Sequence, residues 1–205
     1  MDSRIEKTLA QLEKNRITGH FVETPEALHR LIASLVPEGA TVSVGGSMTL
    51  FETGTIDFLR NGTYEFWDRY AEGLTPEDTK ALYRKSFSAD AYFSSVNAIT
   101  EDGWLYNIDG LGNRVASIIY GPDKVFLIAG TNKIVKDMEA AEIRLRHKAA
   151  PANAVRLNRN TPCAKTGVCM DCKHKDRICS AYVKIGWQFD PNRIHVILIN
   201  GNFGY

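Results

Sequence analysis

The 205-residue chain is 44% hydrophobic and 24% charged, the proportions of a folded globular protein rather than a disordered or fibrous one. Its 25 Lys and Arg against 24 Asp and Glu leave a formal charge of +1, which excludes a whole-surface attraction to nucleic acid or anionic lipid and leaves only local patches. No apolar run reaches the roughly 20 residues of a membrane span, and the start Asp2-Ser3-Arg4-Ile5-Glu6-Lys7 lacks the apolar stretch of an export signal, so a cytoplasmic protein without nucleic-acid or membrane partners is expected.

Ile5, Leu9 and Leu12 predict an amphipathic helix over residues 2–16. A second helix starts with Thr24 as cap and Pro25 in the first turn, carries Leu28, Leu31, Ile32 and Leu35 on one stripe, and stops at Pro37 and Gly39. Thr41 to Val44 reads as a buried strand running through Gly45-Gly46-Ser47 into a helix with Leu50 and Phe51. A strand over 64–67 follows, and Thr75-Pro76-Glu77-Asp78 opens a helix through Ala81, Leu82 and Tyr83. Residues 91–99 read as one strand, Glu101-Asp102-Gly103 as a turn, and 104–108 as the next strand. A short helix is expected after Gly112, a strand over 124–130, a helix over 133–148 with an i, i+4 pair of Glu142 and Arg146, and a last strand over 194–199.

Strands and helices alternate, and two strands are almost wholly apolar. This predicts an α/β fold with a mainly parallel sheet covered by helices on both faces. Length and pattern give one domain: an α/β core over 1–150, a non-periodic segment over 151–192, and a final strand over 193–205 returning to the core. A stretch as long as 151–192 without periodicity needs something to organise it, and it holds all four cysteines.

Cys163, Cys169, Cys172 and Cys179 have the composition of a metal centre, since four thiolates fill a tetrahedral zinc site or ligate an iron–sulfur cluster. Lys165, Lys173, Lys175 and Arg177 against Asp171 and Asp176 leave a net +2 around them, which balances the −2 of a divalent ion on four thiolates. Disulfides do not suit a cytoplasmic chain, and the spacing does not choose between zinc and iron–sulfur.

Gly45 and Gly46 between strand and helix point backbone N–H groups at the crevice above the sheet, with the Ser47 and Thr49 hydroxyls beside them, an arrangement that suits a phosphate or carboxylate as well as an ordinary turn. Gly110-x-Gly112 lacks the third glycine of a dinucleotide fingerprint, so no NAD is expected; the turn instead presents Asp109, Asn113 and Arg114, the last suited to bidentate anion recognition, an arrangement that equally suits a surface turn with a helix cap. Lys133 follows the best strand at the start of the expected helix, where it either reaches an anion or is simply solvated. Glu52 and Glu101 are the candidates for proton transfer, Glu101 because it projects from a strand end. The five histidines lack sequence partners and read as structural.

Gly45-Gly46-Ser47-Met48-Thr49-Leu50 with Glu52, Asn97-Ala98-Ile99-Thr100-Glu101-Asp102-Gly103, Asp109 through Ala116, Gly130 through Val135, and Thr161-Pro162-Cys163 through Cys179 together resemble the lactate-utilisation (LUD) domain family. The chain looks like a short, single-domain member with a C-terminal four-cysteine segment. The resemblance implies a fold similar to CoA transferases, ribose-5-phosphate isomerase and glucosamine-phosphate isomerase. It also implies a link to bacterial oxidation of lactate to pyruvate, beside iron–sulfur redox partner proteins. Longer LUD proteins carry separate ferredoxin-like motifs that this chain lacks, which argues against an independent lactate dehydrogenase. The expected function is binding of a small anionic metabolite in lactate or organic-acid oxidation, catalytic or not. Two alternatives stay open: an electron-transfer or assembly subunit carrying an iron–sulfur cluster, and an isomerase or transferase acting on a sugar phosphate or CoA ester.

Overall fold

The structure, a computed structural model, describes residues 2–205, so Met1 of the expected core lies outside it. In chain order the elements are α1 (Ser3–Lys14), β1 (Thr18–Val22), α2 (Pro25–Leu35), β2 (Thr41–Val44), α3 (Met48–Glu52), α4 (Thr55–Asn61), β3 (Glu65–Trp67) and α5 (Pro76–Lys85). Then come β4 (Ala91–Ser94), β5 (Ala98–Thr100), β6 (Leu105–Asp109), α6 (Asn113–Ile119), β7 (Lys124–Gly130), β8 (Ile134–Val135), α7 (Met138–Arg144), α8 (Ala150–Arg156), α9 (Pro162–Thr166), β9 (Ala181–Ile185) and β10 (Ile194–Ile199).

Local chemistry sets many of these boundaries. The Thr24 side chain accepts the Ala27 N–H at the start of α2, and Thr75 and Asp78 close a reciprocal capping box on α5. Six strands form a wholly parallel sheet in the order β1-β10-β7-β4-β2-β3. Alternation along β7 sends Phe126 and Ile128 to one face, where Leu28, Ile32, Leu50, Ile56 and Leu59 of α2, α3 and α4 cover them. Val125, Leu127 and Ala129 go to the other face, where they meet Ile5 and Leu12 of α1, Ile118 of α6, and the inner side of a second sheet, β8-β5-β6-β9. Both faces are thus covered, as the two apolar strands require.

Three expectations are corrected. The run over 91–99 is two strands: β4 ends at Ser94, and the chain leaves the large sheet through Ser95-Val96-Asn97 to enter the second as β5. The helix expected over 133–148 begins at Met138, capped by Asp137, because Ile134 and Val135 pair with Ile99 and Thr100 instead. It also runs on to Arg156, through a π-turn over Leu145–Ala149 that lets Pro151, which lacks an N–H, stay in the helical path. The segment over 151–192 is therefore partly regular, since it also holds α9 and β9, and β9 pairs antiparallel with β6. Glu142 and Arg146 do pair, at 3.1 Å. The final strand is a central one, between β1 and β7.

Candidate functional site

The carboxyl ends of β2, β4, β7 and β10 open on one side of the sheet, the side where ligands of open parallel sheets bind. A crevice of about 370 Å³ lies there, within the size range of small-molecule sites. Its walls come from the turn after β2, the β4–β5 connection, the end of β6 with the start of α6, Lys133 after β7, the end of α8, and the tail Gly204-Tyr205 after β10.

Lys133 occupies the floor. It is 3% exposed, and its Nζ donates to Thr49 Oγ1 at 2.8 Å and Ser95 Oγ at 2.9 Å. Both partners are neutral hydroxyls, so among the described residues no carboxylate is hydrogen-bonded to the buried ammonium. Burial first, then the charges of Arg144 and Arg114, push its pKa down from 10.5 to about 7, against a smaller opposing pull from Glu52. Arg144, 8% exposed, is pushed down to about 10 by the same burial, and its Nη2 has no hydrogen-bond partner. The tail seals this floor. Gly204 has φ +63°, and a Cβ there would collide with Thr49 Oγ1 and stand 3.0 Å from Lys133 Nζ, so only glycine fits.

Arg114 is built differently from the expectation. Its Nη1 donates to Ser95 O at 2.9 Å and Asn107 Oδ1 at 2.7 Å, and its Nη2 to Asn97 Oδ1 at 3.1 Å and Ile108 O at 2.8 Å. Its Nε faces Asp109 Oδ2 at 3.3 Å, without the alignment of a hydrogen bond. No free fork is left to grip a ligand. Arg114 lines the crevice as a charge and ties the β4–β5 connection to the end of β6.

The other candidates divide. Gly46, Ser47, Thr49, Asp109 and Asn113 line the crevice. Ser47 caps α3, accepting the Leu50 N–H at 3.4 Å, and Thr49 is fully buried. Gly45 lies beneath the lining; a Cβ there would meet Tyr92 Oη at 2.7 Å and Ser94 Oγ at 2.8 Å, so its role is close packing. Glu52 is exposed and accepts the Gly204 N–H at 2.5 Å, holding the tail rather than lining the crevice. Glu101 is not brought to the crevice; it pairs with Lys7 of α1 at 2.8 Å, because β5 leads away from the opening.

Sequence reading missed Arg69, whose Nη1 would lie 3.6 Å from a Cβ at Gly46, whose Nη2 donates to Tyr83 Oη at 2.5 Å, and whose buried Nε has no partner. It also missed Arg156 and Arg159 at the rim and Tyr205 in the wall. No local motif marks these residues; only the fold gathers them. Among the described residues five cations line the crevice, Arg69, Arg114, Lys133, Arg156 and Arg159, against the side-chain carboxylate of Asp109.

The four cysteines line a separate cavity of about 20 Å³ beside the crevice, and all four are free thiols. Burial, and then the nearby Cys169 and Cys163, push the Cys179 thiol up to about 11. Among the described residues no three His, Cys, Asp or Glu side chains already stand together as a metal site.

Fold and site together define an α/β protein with a cationic crevice at the carboxyl edge of a parallel sheet. The LUD domain family model matches residues 5–199, so the chain belongs to the LUD domain family, associated with lactate utilisation. No curated protein matches the sequence. Among solved structures, a DUF162 family protein from Deinococcus radiodurans is similar with a TM-score of 0.55 at 15% identity, covering 97% of this chain and 99% of that one, a likeness of fold. No helix of the described residues is long and apolar enough to cross a membrane.

Proposed function

We propose that the crevice binds a small anionic metabolite, and that through it the protein takes part in lactate or organic-acid oxidation. The observation that carries this reading is Lys133: a buried ammonium with hydroxyl partners only, in a crevice where, among the described residues, cationic side chains outnumber acidic ones five to one. A buried charge without a counter-ion costs stability, and such costs concentrate where a ligand completes the pairing. The carboxylate or phosphate of the ligand sits on the floor against Lys133 Nζ. Arg69 contacts it from the side, and the exposed Arg156 and Arg159 draw it in.

Calorimetry with lactate, pyruvate and ribose 5-phosphate tests the reading. One of these anions is expected to bind the wild type well above the others, and Arg69→Met is expected to weaken it about tenfold through loss of a charge-assisted contact. Equal weak heats from every anion with both proteins would defeat the proposal. Selective binding of the sugar phosphate would instead favour the isomerase or transferase reading.

A further inference from the structure

The cysteine segment has little else to hold it. From Gly167 to Ser180 it forms no helix or strand, and Val168 and Met170 are exposed at 46% and 61%. What it turns inward is the four cysteines, which line one cavity with Met170, Ile178 and Tyr182. Its backbone is nevertheless shaped around them. Asp171, within the Cys169–Cys172 turn, adopts a left-handed φ of +46°, and its N–H points at Cys169 Sγ at 3.4 Å. Arg177 bridges the other side, donating to Cys172 O at 2.7 Å and Cys179 O at 3.0 Å, and so fastens the two halves of the segment together with a positive charge beside the sulfurs.

We propose that Cys163, Cys169, Cys172 and Cys179 bind one zinc ion as a tetrathiolate structural site, and that this ion fixes the wall the segment shares with the crevice. Four cysteine sulfurs line this one cavity, the donor set of a closed tetrahedral structural zinc site. The sulfurs line the cavity without standing at ligand distance, so the ion draws them inward. Zn–S bonds replace S–H bonds, the protons pass to solvent, and no electron moves. The shared wall is Ile178, which lines both cavities, and the Asp109–Leu111 turn against it. Ile178 O would lie 3.5 Å from a Cβ at Gly110, the Ser180 N–H donates to Asp109 O at 3.0 Å, and Ala181 pairs with Asp109 in the sheet. The zinc assignment is independent of the proposed anion function; the importance of the wall rests on it.

Elemental analysis of the full chain, purified under reducing, oxygen-free conditions without added metal, is expected to give one zinc per chain and a featureless visible spectrum. Cobalt exchanged into the site is expected to show the strong visible bands of tetrahedral thiolate coordination, and Cys172→Ser to drop zinc well below one per chain. Hydrogen exchange over 108–112 and 178–181 is expected to quicken at least tenfold when zinc is stripped from the wild type, and to recover when it is restored. Absence of stoichiometric metal, or iron with sulfide and broad visible absorption, overturns the assignment. Stoichiometric zinc with unchanged exchange over 108–112 overturns the shared wall alone. A zinc-loaded chain with fast-responding exchange that binds no anion overturns the crevice function and leaves the zinc site standing.

Discussion

Lys133→Met is expected to make the protein more stable and to abolish anion binding. In the folded state the Lys133 ammonium is buried against two hydroxyls, and its pKa lies at about 7 rather than 10.5. Because the folded value is below the unfolded one, the unfolded chain binds more protons between those two values, and folding grows more favourable as pH rises through them. The cost of burying the charge is therefore fully present below about pH 7 and is relieved toward pH 10. Each pKa unit corresponds to about 1.4 kcal/mol, so after allowance for the two hydrogen bonds lost at Thr49 and Ser95, the variant gains on the order of 2–4 kcal/mol at pH 6. Chemical denaturation at pH 6 and pH 10 checks this: the gap between variant and wild type should shrink at the higher pH. Calorimetry checks the other half, since methionine fills the space and carries no charge. A destabilised variant that still binds would show that Lys133 is an ordinary core residue.

Arg114→Ala is expected to act mainly on folding. The substitution removes the four hydrogen bonds to Ser95 O, Asn97 Oδ1, Asn107 Oδ1 and Ile108 O, and with them the cation paired to Asp109, which is 9% exposed. Breaking a buried, multiply bonded charge in this way costs about 3–5 kcal/mol. A fall in denaturation midpoint of that size is the expected measurement. Arg114→Lys should recover little of it, because one ammonium cannot serve acceptors on four residues arranged for a planar fork. Near-wild-type stability of Arg114→Ala would mean that these hydrogen bonds contribute little.

Arg114 also shows where sequence reading stops. The Gly110–Gly112 turn next to it is visible locally and suggests an arginine held out to a ligand. What occupies the guanidinium are acceptors up to 19 residues earlier, on a connection whose existence the sequence hides. That connection is hidden because Val96 and Ala98 are both apolar and buried; they belong to different cores, yet they read as one continuous strand with β4. Ile134 and Val135 mislead in the same way, since they fit a helical stripe but are taken by β5. Where a cap, a proline or an unbroken β-branched run decides the outcome locally, as at Thr24, Thr75, β7 and β10, the elements follow from the residues themselves. The crevice is intermediate. Ser47, Thr49, Asp109, Asn113 and Lys133 are recognisable from their turns, but the burial that gives Lys133 its chemistry depends on Gly204, far along the chain.

Anion binding in the crevice requires Lys133 to be a buried cation held only by hydroxyls. Selective carbon-13 labelling of lysine, with the Lys133 Cε resonance followed by NMR across pH 5 to 11, measures that state directly. The titration is expected near pH 7 in the free protein. It should move upward when the bound anion identified by calorimetry is added, with affinity falling as pH rises past 7, because the free protein then loses the proton that the complex keeps. A Lys133 resonance that titrates near 10.5 with and without the anion would mean an ordinary lysine that takes no part in anion binding.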